Sequence, residues 1–132
     1  THLEVLLASD NYLTTLPVEI LQLTNLRHLH LAANRLNIFP KEMNQLVNLR
    51  EIDLSANNLR KVPKEIFRIG NLEDIGLGNN PLTELPVEIS SLKNLKFLHL
   101  HDTKLKLPPE IEDGCGSPYR IISYYFNRSL KV

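Results

Sequence analysis

Apolar residues recur along this chain with a period that does not drift. Leu3, Leu26, Leu49, Leu72 and Leu95 stand 23 residues apart, and the residues around each keep the same phase. In the third unit Leu49 is followed by Ile52 and Leu54, separated by polar Glu51 and Asp53. Alternation of this kind predicts a strand with Ile52 and Leu54 on one side and the two acids on the other. Strands from successive units would pair in parallel, which requires a return connection between them. The second half of each unit supplies one. Pro17-Val-Glu19-Ile20, Pro40-Lys-Glu42-Met43, Pro63-Lys-Glu65-Ile66 and Pro86-Val-Glu88-Ile89 share one pattern. Proline suits the first position of a helix, and a glutamate two places on favours the positive helix end. Short helical turns are predicted there, anchored by Ile20 with Leu23, Met43 with Leu46, Ile66 with Ile69, and Ile89 with Leu92. A fixed period over nearly the whole chain means stacked units, each burying its apolar side against its neighbours.

One polar column accompanies the leucines. Asn11, Asn34, Asn57 and Asn80 fall where the chain bends inward after each strand. A buried turn leaves backbone groups that need partners, and an amide offers both donors and acceptors. The sequence therefore assigns these four a structural role, a ladder joining neighbouring turns. The fifth unit departs from the pattern. Thr103 replaces the asparagine, and one residue is missing before Pro108-Pro109-Glu110-Ile111. Beyond Gly114 and Gly116, Ser117-Pro118 signals a helix start, and Ile121, Ile122, Tyr125 and Phe126 follow at helical spacing. The expected organisation is five repeats over 1–111 and a C-terminal cap over 112–132, its helix lidding the last repeat. No polar cap precedes Leu3, so a fragment of a longer chain with more repeats at its N-terminus is the expectation.

The spacing L-x-x-L-x-L-x-x-N-x-L, as in Leu49 to Leu59, and blocks such as Leu85-Pro-Val-Glu-Ile-Ser-Ser-Leu92-Lys-Asn-Leu95 carry a resemblance. Residues 3–111 resemble leucine-rich repeats of the 23-residue typical kind. The variant is similar to the arrays of Ras-pathway and Ras-suppressor proteins and of the Scribble and Erbin scaffolds. It also resembles the array of one class of poly(A) deadenylases. The resemblance implies an α/β fold: a right-handed solenoid with a concave parallel β-sheet, convex short helical turns and a C-terminal capping helix. It further implies protein binding, within a signalling or scaffolding protein. The alternative is a docking array of a larger enzyme, with catalysis elsewhere in that protein.

Framework positions are occupied by packing, so the free strand residues carry recognition. By alternation they form columns on the concave sheet. One column is Val5, His28, Glu51, Asp74 and Phe97; the next is Leu7, His30, Asp53, Gly76 and His99; His101 stands in a third, with Gly78. At about 4.8 Å per strand, five strands span roughly 20 Å, enough for a peptide or one face of a small domain. An acidic centre with apolar ends suits a protein or peptide ligand with a basic residue. Gly76 and Gly78 are expected to leave the floor open to a partner's bulk.

Composition narrows the alternatives. Fifteen basic residues balance fifteen acidic ones among 132, which disfavours nucleic acid. No apolar run of membrane-spanning length is present. The single cysteine, Cys115, cannot form an internal bridge, so a reducing cytoplasmic interior is expected. It has no histidine near it in sequence, and no phosphate-cradling glycine motif is present. No catalytic residue and no cofactor is assigned. His28 with His30 and His99 with His101 each put two imidazoles on one side of a strand; with Glu51 and Asp53 next door the first pair raises zinc as an alternative, and a pH-sensitive interface is another. The two pairs lie three strands apart and cannot share an ion, and the sequence favours ordinary surface histidines with no metal.

Overall fold

A computed structural model describes residues 2–107 and 118–130, with the side chains of 125 and 127–130 left aside. Among them, five short strands form one parallel sheet in chain order: β1 (Val5–Leu7), β2 (His28–His30), β3 (Glu51–Asp53), β4 (Asp74–Gly76) and β5 (Phe97–His99). The register has no offset. Val5 pairs with His28, His28 with Glu51, Glu51 with Asp74, and Asp74 with Phe97. Each repeat therefore adds one strand at the same height, and the sequence columns become straight rows across the sheet.

The return connections are 3-10 helices at Val18–Gln22, Met43–Gln45, Lys64–Arg68 and Val87–Ser91. Proline sits one residue earlier than predicted. Pro17, Pro63 and Pro86 are extended capping residues before the helix, not its first members. Fixed φ still serves there, because it sets the angle at which the chain enters the turn. The tighter 3-10 winding is common in such short connectors.

The core is a single stack. Leu26, Leu49 and Leu72 are fully buried, each sealed by a repeat on both sides, while Leu3, in the first repeat, is 41% exposed. Ile20, Met43, Leu46, Ile66, Ile69, Ile89 and Leu92 close the convex side as predicted; Leu23 is only partly buried. Phe67 and Leu21 join them from positions the pattern had not marked. Burial of each such side chain is worth about 1.5–3 kcal/mol.

The asparagines form the second continuous system. Asn34, Asn57 and Asn80 are buried. The Asn80 amide oxygen accepts the N–H groups of Asn57 (2.9 Å) and Leu59 (3.0 Å) from the repeat before. Its amide nitrogen donates to the carbonyls of Leu54 and Leu77, both at 3.0 Å, one in each repeat. Asn34 and Asn57 repeat this arrangement toward their own predecessors. Asn11, in the first repeat, is exposed; its backbone N–H donates to Asn34 Oδ1, while its side-chain amide donates to the Ser9 carbonyl within its own turn. In the fifth repeat the Thr103 hydroxyl keeps the local half of the pattern, donating to the Leu100 carbonyl at 2.9 Å.

Two periodic features were missed. Asp10, Ala33, Ala56, Asn79 and Asp102, again 23 apart, all have φ between 55° and 63°. A left-handed residue just before each ladder position turns the chain off the sheet. Its N–H still donates to the next repeat, as from Ala33 to the Ser55 carbonyl at 2.9 Å. A further asparagine column precedes the strands. Asn48 donates to the Thr24 carbonyl (2.8 Å) and Asn71 to that of Val47 (2.6 Å). Its signal, Asn25, Asn48, Asn71 and Asn94, was in the period.

Helix α1 (Pro118–Leu130) packs against the 3-10 helix Val87–Ser91. Ile121 is buried, with Ile122 and Phe126 partly so against the core. The expected lid is thus a helix on the convex flank. The repeat–cap boundary near 111, the break at Gly114 and Gly116, and Cys115 lie outside the described residues. No helix among those described is long and apolar enough to cross a membrane.

Candidate functional site

Strand alternation places every predicted column residue on the outward side of the sheet, because Leu6, Leu29, Ile52, Ile75 and Leu98 take the inward side. The rows are apolar at their ends. Val5 and Phe97 are each 45% exposed and Leu7 is 73% exposed. The Phe97 ring stacks on His99, centroids 6.4 Å apart and planes 9° from parallel.

Between those ends lies a shallow depression of about 240 Å³, lined by His30, Glu51, Asp53, Asp74, Gly76 and His99 among others. The acids around it are not bare. One oxygen of Glu51 lies 2.9 Å from His28 Nδ1 and 2.9 Å from His30 Nε2. Asp53 Oδ1 accepts the Ser55 hydroxyl at 2.6 Å and the Ser55 N–H at 3.0 Å. Asp74 Oδ1 is 3.0 Å from His99 Nε2. On the rim, Glu73 meets Arg50 at 2.8 Å and Lys96 at 3.3 Å. The sequence predicts an acidic centre for a cation; one oxygen of each of these acids is already engaged, Glu51 and Asp74 by histidines of the neighbouring strand and Asp53 by Ser55 of its own repeat.

Two of these carboxyls, Glu73 and Asp74, depart from their ordinary acidity in opposite directions. Hydrogen bonds from Arg50 and then Lys96 hold Glu73 below its ordinary range. Asp74 moves the other way. Burial, the largest cause, raises it; His99 opposes, and the charges of Glu51 and Asp53 add to the rise. Burial therefore makes the ionised form of Asp74 costly to keep.

The glycines do not form an open floor, which corrects that part of the sequence expectation. Gly76 and Gly78 are buried. A Cβ at Gly76 would lie 2.7 Å from Asp53 Oδ1, and one at Gly78 would overlap the His101 imidazole. Glycine suits both positions because the neighbouring repeats lay side chains across them, Asp53 over Gly76 and His101 over Gly78. His101 itself remains exposed above Gly78.

A larger open groove of about 690 Å³ runs along the loop edge beside Arg35, Asn58, Arg60 and Lys61. None of the concave rows lines it, and sequence alternation had no means of finding it. At the same edge Arg35 lies over the exposed Tyr12 ring, 5.6 Å from its centroid.

The leucine rich repeat family model matches residues 1–59 and 47–105. Two solved structures are similar. A leucine-rich repeat protein of Leptospira interrogans is 41% identical with a TM-score of 0.56, the match covering 82% of this chain and 34% of that one. An internalin of Listeria monocytogenes is 19% identical with a TM-score of 0.56, over 67% of this chain and 25% of that one, a likeness of fold alone. This chain thus spans well under two thirds of either. No curated protein sequence matches it.

Proposed function

The chain belongs to the leucine-rich repeat family, and from that premise we propose that its concave sheet docks another protein or peptide, without catalysis of its own. One observation carries the proposal. Exposed apolar side chains, Val5 and Leu7 at one end and Phe97 at the other, bracket a polar centre on a single rigid sheet. Exposed apolar and aromatic side chains beside hydrogen-bonding groups are the kind of anchors that binding surfaces use, although here the polar groups hold the centre and the anchors the ends. The preferred ligand is extended and carries a cationic side chain. Glu51, Asp53 and Asp74 keep net negative charge when the imidazoles beside them are neutral, so charge complementarity favours capture of a cation.

An intracellular scaffolding or signalling setting belongs to the same proposal. It rests on the single cysteine, Cys115, and on the repeat type.

Peptide display against the purified chain tests the docking surface. Selected ligands should be enriched in Lys or Arg beside apolar residues. Phe97→Ala and Asp74→Lys should each weaken them about tenfold or more while circular dichroism stays unchanged. Ligands that bind both variants as tightly as the parent chain would move the surface to the loop-edge groove or the convex turns.

A further inference from the structure

We propose that His28, His30 and Glu51 form a binding site for a divalent transition-metal ion, with zinc as the natural occupant. The inference stands whether or not the sheet docks a partner. Two residues apart on β2, the histidines share one side of the strand, and the zero-offset register sets Glu51 of β3 directly beside His28. Both rings turn toward that carboxylate. The three donor atoms, His28 Nδ1, His30 Nε2 and a Glu51 oxygen, all lie within 4.8 Å of one another. Sequence spacing alone gives histidines about 7 Å apart at the backbone. Side-chain rotation closes that gap here.

The chemistry of the set selects the ion. Two imidazole nitrogens and a carboxylate suit zinc and its transition-metal neighbours, whereas magnesium prefers oxygen donors and keeps its water. Zinc bonds to these donors are about 2.0–2.2 Å, so two donors on one ion stand about 3.3–3.5 Å apart. The Glu51 oxygen, now 2.9 Å from each nitrogen, would back away by about half an ångström. All three side chains are between 31% and 46% exposed, which leaves room for that adjustment. Three protein donors leave at least one coordination position toward solvent.

Neighbouring groups do not compete for the role. Asp53 is engaged by Ser55 and Asp74 by His99. Among the described residues the second histidine pair forms no such three-donor group. His99 meets Asp74, while the His101 ring lies against Gly78.

Titration calorimetry with zinc chloride alone, on the full chain at neutral pH, tests the site. Expected are one ion per chain, no competition from millimolar magnesium, and an upward shift in Tm. His28→Ala, His30→Ala and Glu51→Gln should each lower affinity at least tenfold, with unchanged circular dichroism. A His99→Ala, His101→Ala double variant should bind like the parent. In histidine nitrogen NMR, zinc should move His28 Nδ1 and His30 Nε2 selectively. Absence of binding, equal affinity in the His30→Ala and Glu51→Gln variants, or loss of binding in the His99, His101 variant would each overturn the proposal.

Discussion

At the scale of single residues, Asn57 shows how much one polar side chain can hold. Its amide donates to Leu31 in the repeat before and to Leu54 in its own, while its oxygen accepts the Leu36 N–H. Asn57→Ala leaves those buried groups unpaired and should cost about 1–3 kcal/mol. Urea denaturation measures it, and Asn11→Ala, at an exposed position, should cost much less. Asp74 gives the opposite sign. Its folded value is raised, so the fold holds that proton more tightly than the unfolded chain does. The penalty is absent below the ordinary carboxylate range, grows as pH rises through the raised value, and persists above it. Asp74→Asn, which keeps an acceptor for His99, should therefore gain stability over the parent at neutral pH and lose that gain in strong acid. Paired urea titrations at the two pH values decide; an advantage independent of pH would exclude burial of charge as the cause.

At the scale of elements, the turn after each strand is the informative unit. Its left-handed residue is Asp, Ala, Ala, Asn and Asp in the five repeats. Alanine in this conformation is disfavoured by about 1–2 kcal/mol, whereas asparagine tolerates it. Exchanging Ala33 and Ala56 for asparagine should stabilise by about 0.5–1 kcal/mol each; the two turns lie one strand spacing apart, about 4.8 Å, close enough for the gains to couple. Thermal melts of the single and double variants check both the gain and its additivity. This conformation was not legible in advance, because no glycine marks it and only three of the five residues are of the type that favours it. The strands and helical turns were legible, since each framework leucine, proline and glutamate reports one geometric requirement repeated at a fixed interval. Proline was misplaced by one residue for a local reason: extended and helical backbone share its φ, and spacing cannot tell which side of the boundary it occupies.

At the scale of the whole molecule, the division between what was legible and what was not follows the origin of the information. Sheet order and register come from backbone periodicity, and the pattern of leucines specifies both. The state of the concave surface comes from side-chain rotation between strands. Spacing sets Glu51 beside the His28 and His30 pair, but it does not announce that one Glu51 oxygen meets both rings, that Ser55 engages Asp53, or that His101 covers Gly78. The columns were therefore assigned to the right side of the sheet, while their internal partnerships and the closed glycine floor required the assembled structure. Zero-offset pairing has one more consequence. Because every coil resets the chain to the same height and the same facing, duplication or deletion of one complete coil changes the length of the wall by one strand spacing, about 4.8 Å. It turns no neighbouring side chain inside out. An array built this way can thus change the reach of its sheet in discrete steps, altering the ruler without recutting its marks.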